Sequence, residues 1–332
     1  MTQVKKDPWH RNHLIRDAIG RALYESMGAD PSIHLFGEGA HVKVHFDAPK
    51  IEQEFLDRVH TLPISEDGNT NFAVGAALAG VKPVVDIITA DFMFRAFDSI
   101  ANTAAKLNFV QATGETPKTM VIRGEFLTAG PTTGQRPEAL FARIPGLNVA
   151  VPSTPRDAYG LMKTALKGPG VTVFFEDRML RDDLVVEAFD ADDGDISIPF
   201  GKAAVRRVAS IPRLTIVTYG LARQFVEWVL DQSKIWGVEL IDLRTLYPLD
   251  WETIELSAER TGALLVVEPD VRFMGIGAEI VASIAAAQPT VRVLRLGAPR
   301  TSIPASMALH SKVFPGQEQV ERAIEVLVRH GN

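Results

Sequence analysis

The chain has no cysteine among its 332 residues. That absence excludes disulfides, thiolate catalysis and cysteine-ligated metals. No apolar run approaches the ~20 residues that a membrane-crossing helix requires. The opening stretch, MTQVKKDPWHRNH, is polar and lacks the apolar core of a secretory signal. A cytoplasmic location without membrane contact is therefore expected. Positive charge is also scarce: 35 Lys and Arg against 41 Asp and Glu leave a net charge of −6. Nucleic-acid binding calls for the opposite, a clustered basic surface. The eight histidines form no HExxH motif; His41 and His45 have helical spacing but lie in a stretch with little helical pattern. Gly275 and Gly277, after Glu268, fall short of a GxGxxG phosphate loop.

What is present is an ordinary globular composition, 46% hydrophobic and 23% charged, in a chain long enough for two domains. Short β-branched runs alternate with longer amphipathic stretches, which predicts an α/β fold with mostly parallel sheets. The pattern places strands at 33–36, 84–88, 119–122, 148–151 and 172–175, with helices at 11–27, 69–79, 92–109 and 155–166. A second α/β unit follows, with strands at 214–218, 238–241, 264–267 and 291–294 and helices at 222–234, 277–287 and 317–328. Between the units, residues 181–201 are acidic and aperiodic, with Asp190, Asp192, Asp193 and Asp195 close together. They read as a solvated linker rather than a metal site. The division expected is a first domain over 1–185, a linker over 186–202 and a second domain over 203–332.

Three segments could carry chemistry. The first is Pro63-Ile64-Ser65-Glu66-Asp67-Gly68, just before an Ala/Gly-rich helix. Local pattern alone assigns Glu66 to capping the positive end of that helix. The second is Thr89-Ala90-Asp91-Phe92, at the end of a strand, where ligands of open α/β sheets sit. Phe92 there suits either a core position or the face of a flat ring. The third is Arg123-Gly124 leading into a Gly/Thr/Pro loop with Thr132, Thr133 and Gln135. Such a loop lines a site or merely crosses the surface.

Four stretches together resemble the beta subunit of the first component of 2-oxo acid dehydrogenases, of the pyruvate and branched-chain type within the transketolase-like superfamily. They are PISEDGNTNFAVGAALAGVKPVVD, EALFARIPGLNVAVPSTPRDAYGLMKTAL, VELIDLRTLYPLDWETI and VVEPDVRFMGIGAEIVASI. The resemblance implies a thiamine pyrimidine-binding domain, a parallel sheet with helices on both faces, followed by a transketolase C-terminal-type α/β domain. It implies thiamine diphosphate as cofactor, with Glu66 hydrogen-bonding N1′ of the aminopyrimidine and Phe92 packing on that ring. Ile64 and Glu38 join them as cofactor-site candidates, and Thr133, Gln135 and Arg123 as substrate-site candidates. The family's diphosphate and metal motif, opening GDG and closing on paired Asn, is not found in this sequence. An alpha subunit would then hold the diphosphate and Mg2+, in a heterotetramer of two alpha and two beta chains.

One departure stands out. The family's His before the EALFA stretch is Thr133 here, and a second, before IPGL, is Arg143. Thr does not act as an acid or base near neutral pH. Oxidative transfer of the acyl group to the lipoyl arm of an acyltransferase is the family's reaction. The departure raises a carboligase that uses an aldehyde or ketone acceptor. A non-catalytic structural subunit is the third reading. His41, His45 and His60 lie near Glu38 and Glu66 in sequence and could compensate. The motif Asp242–Asp250 reads as architectural, with Arg244 expected to pair with Asp242 or Asp250.

Overall fold

A computed structural model describes residues 15–38, 49–110, 116–127, 132–178, 180, 196–207, 209–310 and 312–329. His41, His45 and residues 181–195 of the expected linker lie outside the described residues.

In chain order the elements begin with α1 (Ile15–Ala29), β1 (Ile33–Gly37), α2 (Pro49–Glu54) and β2 (Val59–Thr61). Next come α3 (Glu66–Leu78), β3 (Lys82–Thr89), β4 (Thr119–Phe126), α4 (Glu138–Ala142), β5 (Leu147–Ala150), α5 (Pro155–Lys167) and β6 (Gly170–Asp177). The second half holds β7 (Ala204–Arg207), β8 (Leu214–Thr218), α6 (Gly220–Gln232), β9 (Val238–Asp242), β10 (Thr245–Tyr247) and α7 (Trp251–Thr261). It ends with β11 (Ala263–Val271), α8 (Ile276–Ala287), β12 (Arg292–Ala298), α9 (Met307–His310) and α10 (Gln317–Arg329).

Two sheets form. The first runs β10-β5-β6-β4-β3-β1-β2 and the second β12-β11-β8-β9-β7. Pairing is parallel except at one edge of each, where β10 runs against β5 and β7 against β9. β4 is buried at every position, as a strand covered on both faces must be. Alternation sorts its residues. Val121 joins the layer of α1 and α5, with Val84 and Phe174. Met120 and Ile122 join the opposite layer, with Val85, Val173 and Phe175.

The second sheet is sorted in the same way. Leu214, Ile216 and Leu240 face α6 and α10. Val217, Ile241 and Val266 face the other way, into the same core as Val85 and Val173. One apolar core is thus shared by the two sheets. Its continuity explains how β10, which follows the second sheet's β9, can close the first sheet's edge.

Two expectations differ from what is seen. The helix expected over 92–109 is broken into a 3-10 turn at Ala90–Phe94, a π-helical turn at Ser99–Thr103 and a 3-10 turn at Ala104–Lys106. Ser99 is held from α3, bonding the Asp67 carboxylate and accepting from Asn71 Nδ2 at 2.6 Å, so a side-chain hook competes with regular winding. Arg244 does not pair through its guanidinium with Asp242 or Asp250. Its Nε lies 2.7 Å from Asp157 Oδ1 on α5, while Asp250 caps α7 by accepting from Thr253 N.

Candidate functional site

The helix α3 shows how the local sequence places Glu66. Its buried residues are Glu66, Asn69, Thr70, Ala73, Val74 and Ala77, a stripe at i, i+3, i+4, i+7, i+8 and i+11. Glu66 is the first residue of that inward stripe, whereas its neighbour Asp67 is exposed. A pure capping acid would have no reason to lie on the buried face. Ser65 occupies the cap position without a side-chain capping bond. Its backbone N–H instead donates to Glu38 Oε1 at 3.1 Å. Asn69 Nδ2 donates to the Pro63 carbonyl at 3.0 Å, closing the loop before the helix.

Glu66 opens onto a cavity of about 430 Å³ that it lines with Ile64, Ser65, Asp67 and Arg95. No hydrogen bond reaches its carboxylate among the described residues; Arg95 Nε stands 3.7 Å from Oε2. Glu38 is nearby, its carboxyl raised above the usual range by burial and then by the charge of Glu66. β1 brings Glu38 there through Gly37, where a Cβ would lie 2.6 Å from the Asp86 carbonyl. Only glycine permits that approach.

Phe92 lies on the turn after β3. It is half-buried and packs on the shared core, and its carbonyl accepts from Arg95 N at 3.0 Å. Arg95 thus links the turn of Phe92 to the carboxylate of Glu66. The strand leading into this turn is bulged between Asp86 and Thr89, and Ile88 adopts φ 59°. A β-branched residue in that region carries strain of about 1–3 kcal/mol. The Asp86 carboxylate accepts from Ile88 N at 3.0 Å and holds the bulge.

Thr133 and Gln135 line a second, larger cavity of about 640 Å³, between the segment 132–140 and the residues at the ends of β11 and β12. Asp91 anchors their loop, accepting from Gly134 N at 3.1 Å and Gln135 N at 3.0 Å. Burial raises the Asp91 carboxyl. Asp270, at the end of β11, lines the same cavity; burial, and then the charge of Glu138, pushes it up to about 8. It holds its proton at neutral pH and can donate a hydrogen bond there. Phe94 and the exposed Phe273 and Met274 give this cavity apolar walls.

The expected residues therefore fall into separate groups. Glu66, Ile64 and Glu38 come together, and Phe92 adjoins them through Arg95. Thr133 and Gln135 share the larger cavity. Arg123 joins neither group: it lies on β4, which runs on to Phe126 where a loop was expected, and its side chain is 1% exposed. Its guanidinium bonds Glu176 and approaches Asp86. Burying a guanidinium demands such carboxylate partners. His60 is committed elsewhere, its Nε2 3.0 Å from His34 Nδ1 and its ring stacked on Phe36. Sequence reading missed Asp91, Arg95 and Asp270. The spacing of Arg95 from Phe92, three residues within one turn, was the available signal for the first link.

The transketolase pyrimidine-binding domain family matches residues 13–182, and the transketolase C-terminal domain family matches residues 201–320. A pyruvate dehydrogenase E1 component subunit beta-2, mitochondrial, from Oryza sativa subsp. japonica is 37% identical, over 81% of this chain and 73% of its own length. The corresponding Caenorhabditis elegans subunit is 32% identical, over 94% and 91%. The Rickettsia bellii subunit is 35% identical, over 81% and 83%. A solved split-gene transketolase, described as an inactive beta4 tetramer, superposes with a TM-score of 0.77, covering 95% of this chain and 98% of that one. At 22% identity that likeness concerns the fold alone. Two matched domains in this order, and relatives this similar along most of their length, place the chain in the family of E1-type 2-oxo acid dehydrogenase beta subunits, that of the pyruvate dehydrogenase E1 component.

Proposed function

We propose that this chain is the beta subunit of a thiamine diphosphate-dependent enzyme that decarboxylates a 2-oxo acid, with Glu66 activating the aminopyrimidine. The observation that carries the reading is the placement of Glu66. Its carboxyl lies on the buried stripe of α3, faces an open cavity and receives no hydrogen bond from the described residues. Such a group fits a nitrogen heterocycle that shares a proton with it. When bound, thiamine diphosphate supplies the carbon nucleophile and the electron sink for loss of carbon dioxide.

The chain's own residues then have distinct tasks. Glu66 holds or gives the proton at N1′ of the pyrimidine. In this reading Phe92, on the same turn as Arg95, packs on the pyrimidine ring, and Ile64 gives an exposed apolar edge of the cavity. Glu38 fixes the start of α3 through Ser65 N, so the Glu66 backbone does not drift. Thr133 and Gln135 are placed to meet substrate, positioned through Asp91. An alpha chain holds the diphosphate and Mg2+, and two of each chain complete two sites at subunit interfaces. The relatives' names as beta subunits support that partnership.

Acyl transfer to a lipoyl carrier is the reaction adopted. A carboligase is the second reading, and Thr133 favours it, because a hydroxyl cannot relay the protons that a histidine would. The purified pair of alpha and beta chains, given a 2-oxo acid, tests the main reading. Carbon dioxide release should require Glu66. Near wild-type turnover by Glu66→Gln would overturn the proposal and leave a structural subunit. Supplying a lipoyl domain in one assay and an aldehyde in another separates the two acceptors.

A further inference from the structure

Arg95 is the one residue at the Glu66 cavity whose charge opposes the task proposed for Glu66. Its guanidinium Nε stands 3.7 Å from Glu66 Oε2, close enough for an ion pair but too far for a hydrogen bond. A guanidinium at that oxygen, lining the same cavity, stands where a ring nitrogen would have to arrive. The two partners also differ in freedom. The Glu66 side chain is 9% exposed and fixed by the helix, whereas that of Arg95 is 77% exposed. Its backbone is secured, since Arg95 N bonds the Phe92 carbonyl, but among the described residues only Glu66 pairs with its side chain. The mobile member of the pair is therefore the cation.

We propose, resting on the cofactor reading of Glu66 above, that Arg95 is a displaceable counter-ion occupying the aminopyrimidine position of the uncombined subunit. A docking pyrimidine competes with the guanidinium for Oε2, and Arg95 swings outward as N1′ arrives. Arg95 is a positioning residue in this scheme. It pairs with Glu66 until the cofactor takes its place, and it weakens cofactor binding by the strength of the contact it must surrender. An ion pair with one such exposed partner is weak, so removing it should tighten binding only about two- to fivefold.

The test measures thiamine diphosphate affinity by titration calorimetry on the alpha–beta complex, with Mg2+ present. Arg95→Gln should bind about two- to fivefold tighter than wild type, and Arg95→Lys should resemble wild type. In a Glu66→Gln background the Arg95→Gln gain should vanish, as a double-mutant cycle demands of a direct pair. Unchanged or weaker binding by Arg95→Gln, or a gain that persists without Glu66, would overturn the gate. Wild-type complex that binds no cofactor, or Glu66→Gln complex with undiminished turnover, would instead overturn the underlying reading of the site.

Discussion

Arg244, in the turn between β9 and β10, places its Nε 2.7 Å from Oδ1 of Asp157 on α5. Arg206 of β7 contacts the other oxygen of Asp157 and also approaches Asp242, which Ser153 bonds. Asp157 and Asp242 are fully buried. The charges sit where the two sheets meet, so each half of the chain supplies ions that the other half neutralises. Substituting Asp157 by Ala takes the carboxylate from Arg244 and leaves Arg206 with Asp242 alone. The expected loss is about 3–5 kcal/mol, seen as a single unfolding transition at lower urea. An unchanged midpoint would show that the halves do not depend on this cluster.

Glu66→Gln keeps the shape of the side chain and removes its titratable proton. Turnover of the alpha–beta complex should fall by about 10²–10⁴-fold, the usual scale of general acid–base catalysis. Subunit association, followed by sedimentation, should stay as in wild type.

Asp91→Ala removes both acceptors that hold Gly134 N and Gln135 N. Hydrogen bonds to a charged group contribute about 1.5–3 kcal/mol each, so the loop of Thr133 should loosen. Faster deuterium exchange at those two amides, with KM for the 2-oxo acid rising more than kcat falls, is the expected pattern. Protection equal to wild type would place the anchor elsewhere.

Asp270 gives a prediction about pH. Its carboxyl is pushed from 3.8 up to about 8 in the folded chain, so between those values the folded state binds a proton that the unfolded state has released. Stability from this group is full below 3.8 and is lost as pH rises through about 8. Asp270→Asn mimics the protonated form at every pH. Its melting temperature relative to wild type should therefore climb between pH 5 and pH 9. A difference that stays constant over that range would mean Asp270 ionises normally.

Thr133→His restores a titratable ring to the larger cavity. Under the carboligase reading, it should shift product from the acyloin toward acyl-lipoamide when both acceptors are offered. An unchanged product ratio would remove Thr133 from control of the outcome.

Local physics was enough for much of the scaffold. The runs at 214–218 and 172–175 declare buried strands by their β-branched residues, and 155–166 declares a helix by its amphipathic period. The Glu66 helix was visible too, although its inward stripe begins at Glu66 itself, three residues before the expected start. Short elements such as β2, β7 and β10 were not legible, because three or four residues carry too little periodicity and their pairing partners lie far away in sequence.

For the site, the sequence by itself determined which residues have the right chemistry: an acid before an Ala/Gly-rich helix, an aromatic after a strand, and a hydroxyl where a histidine was expected. Only the tertiary structure decided what those residues meet. It sent Arg123 inward to Glu176, because a strand covered on both faces leaves a cation no solvent and only carboxylates for partners. It tied the Thr133 loop to Asp91 and set Arg95 against Glu66, across 43 and 29 positions of chain respectively. Contacts at that range depend on how the sheets stack and where the bulge at Ile88 turns the backbone, and no local pattern encodes either.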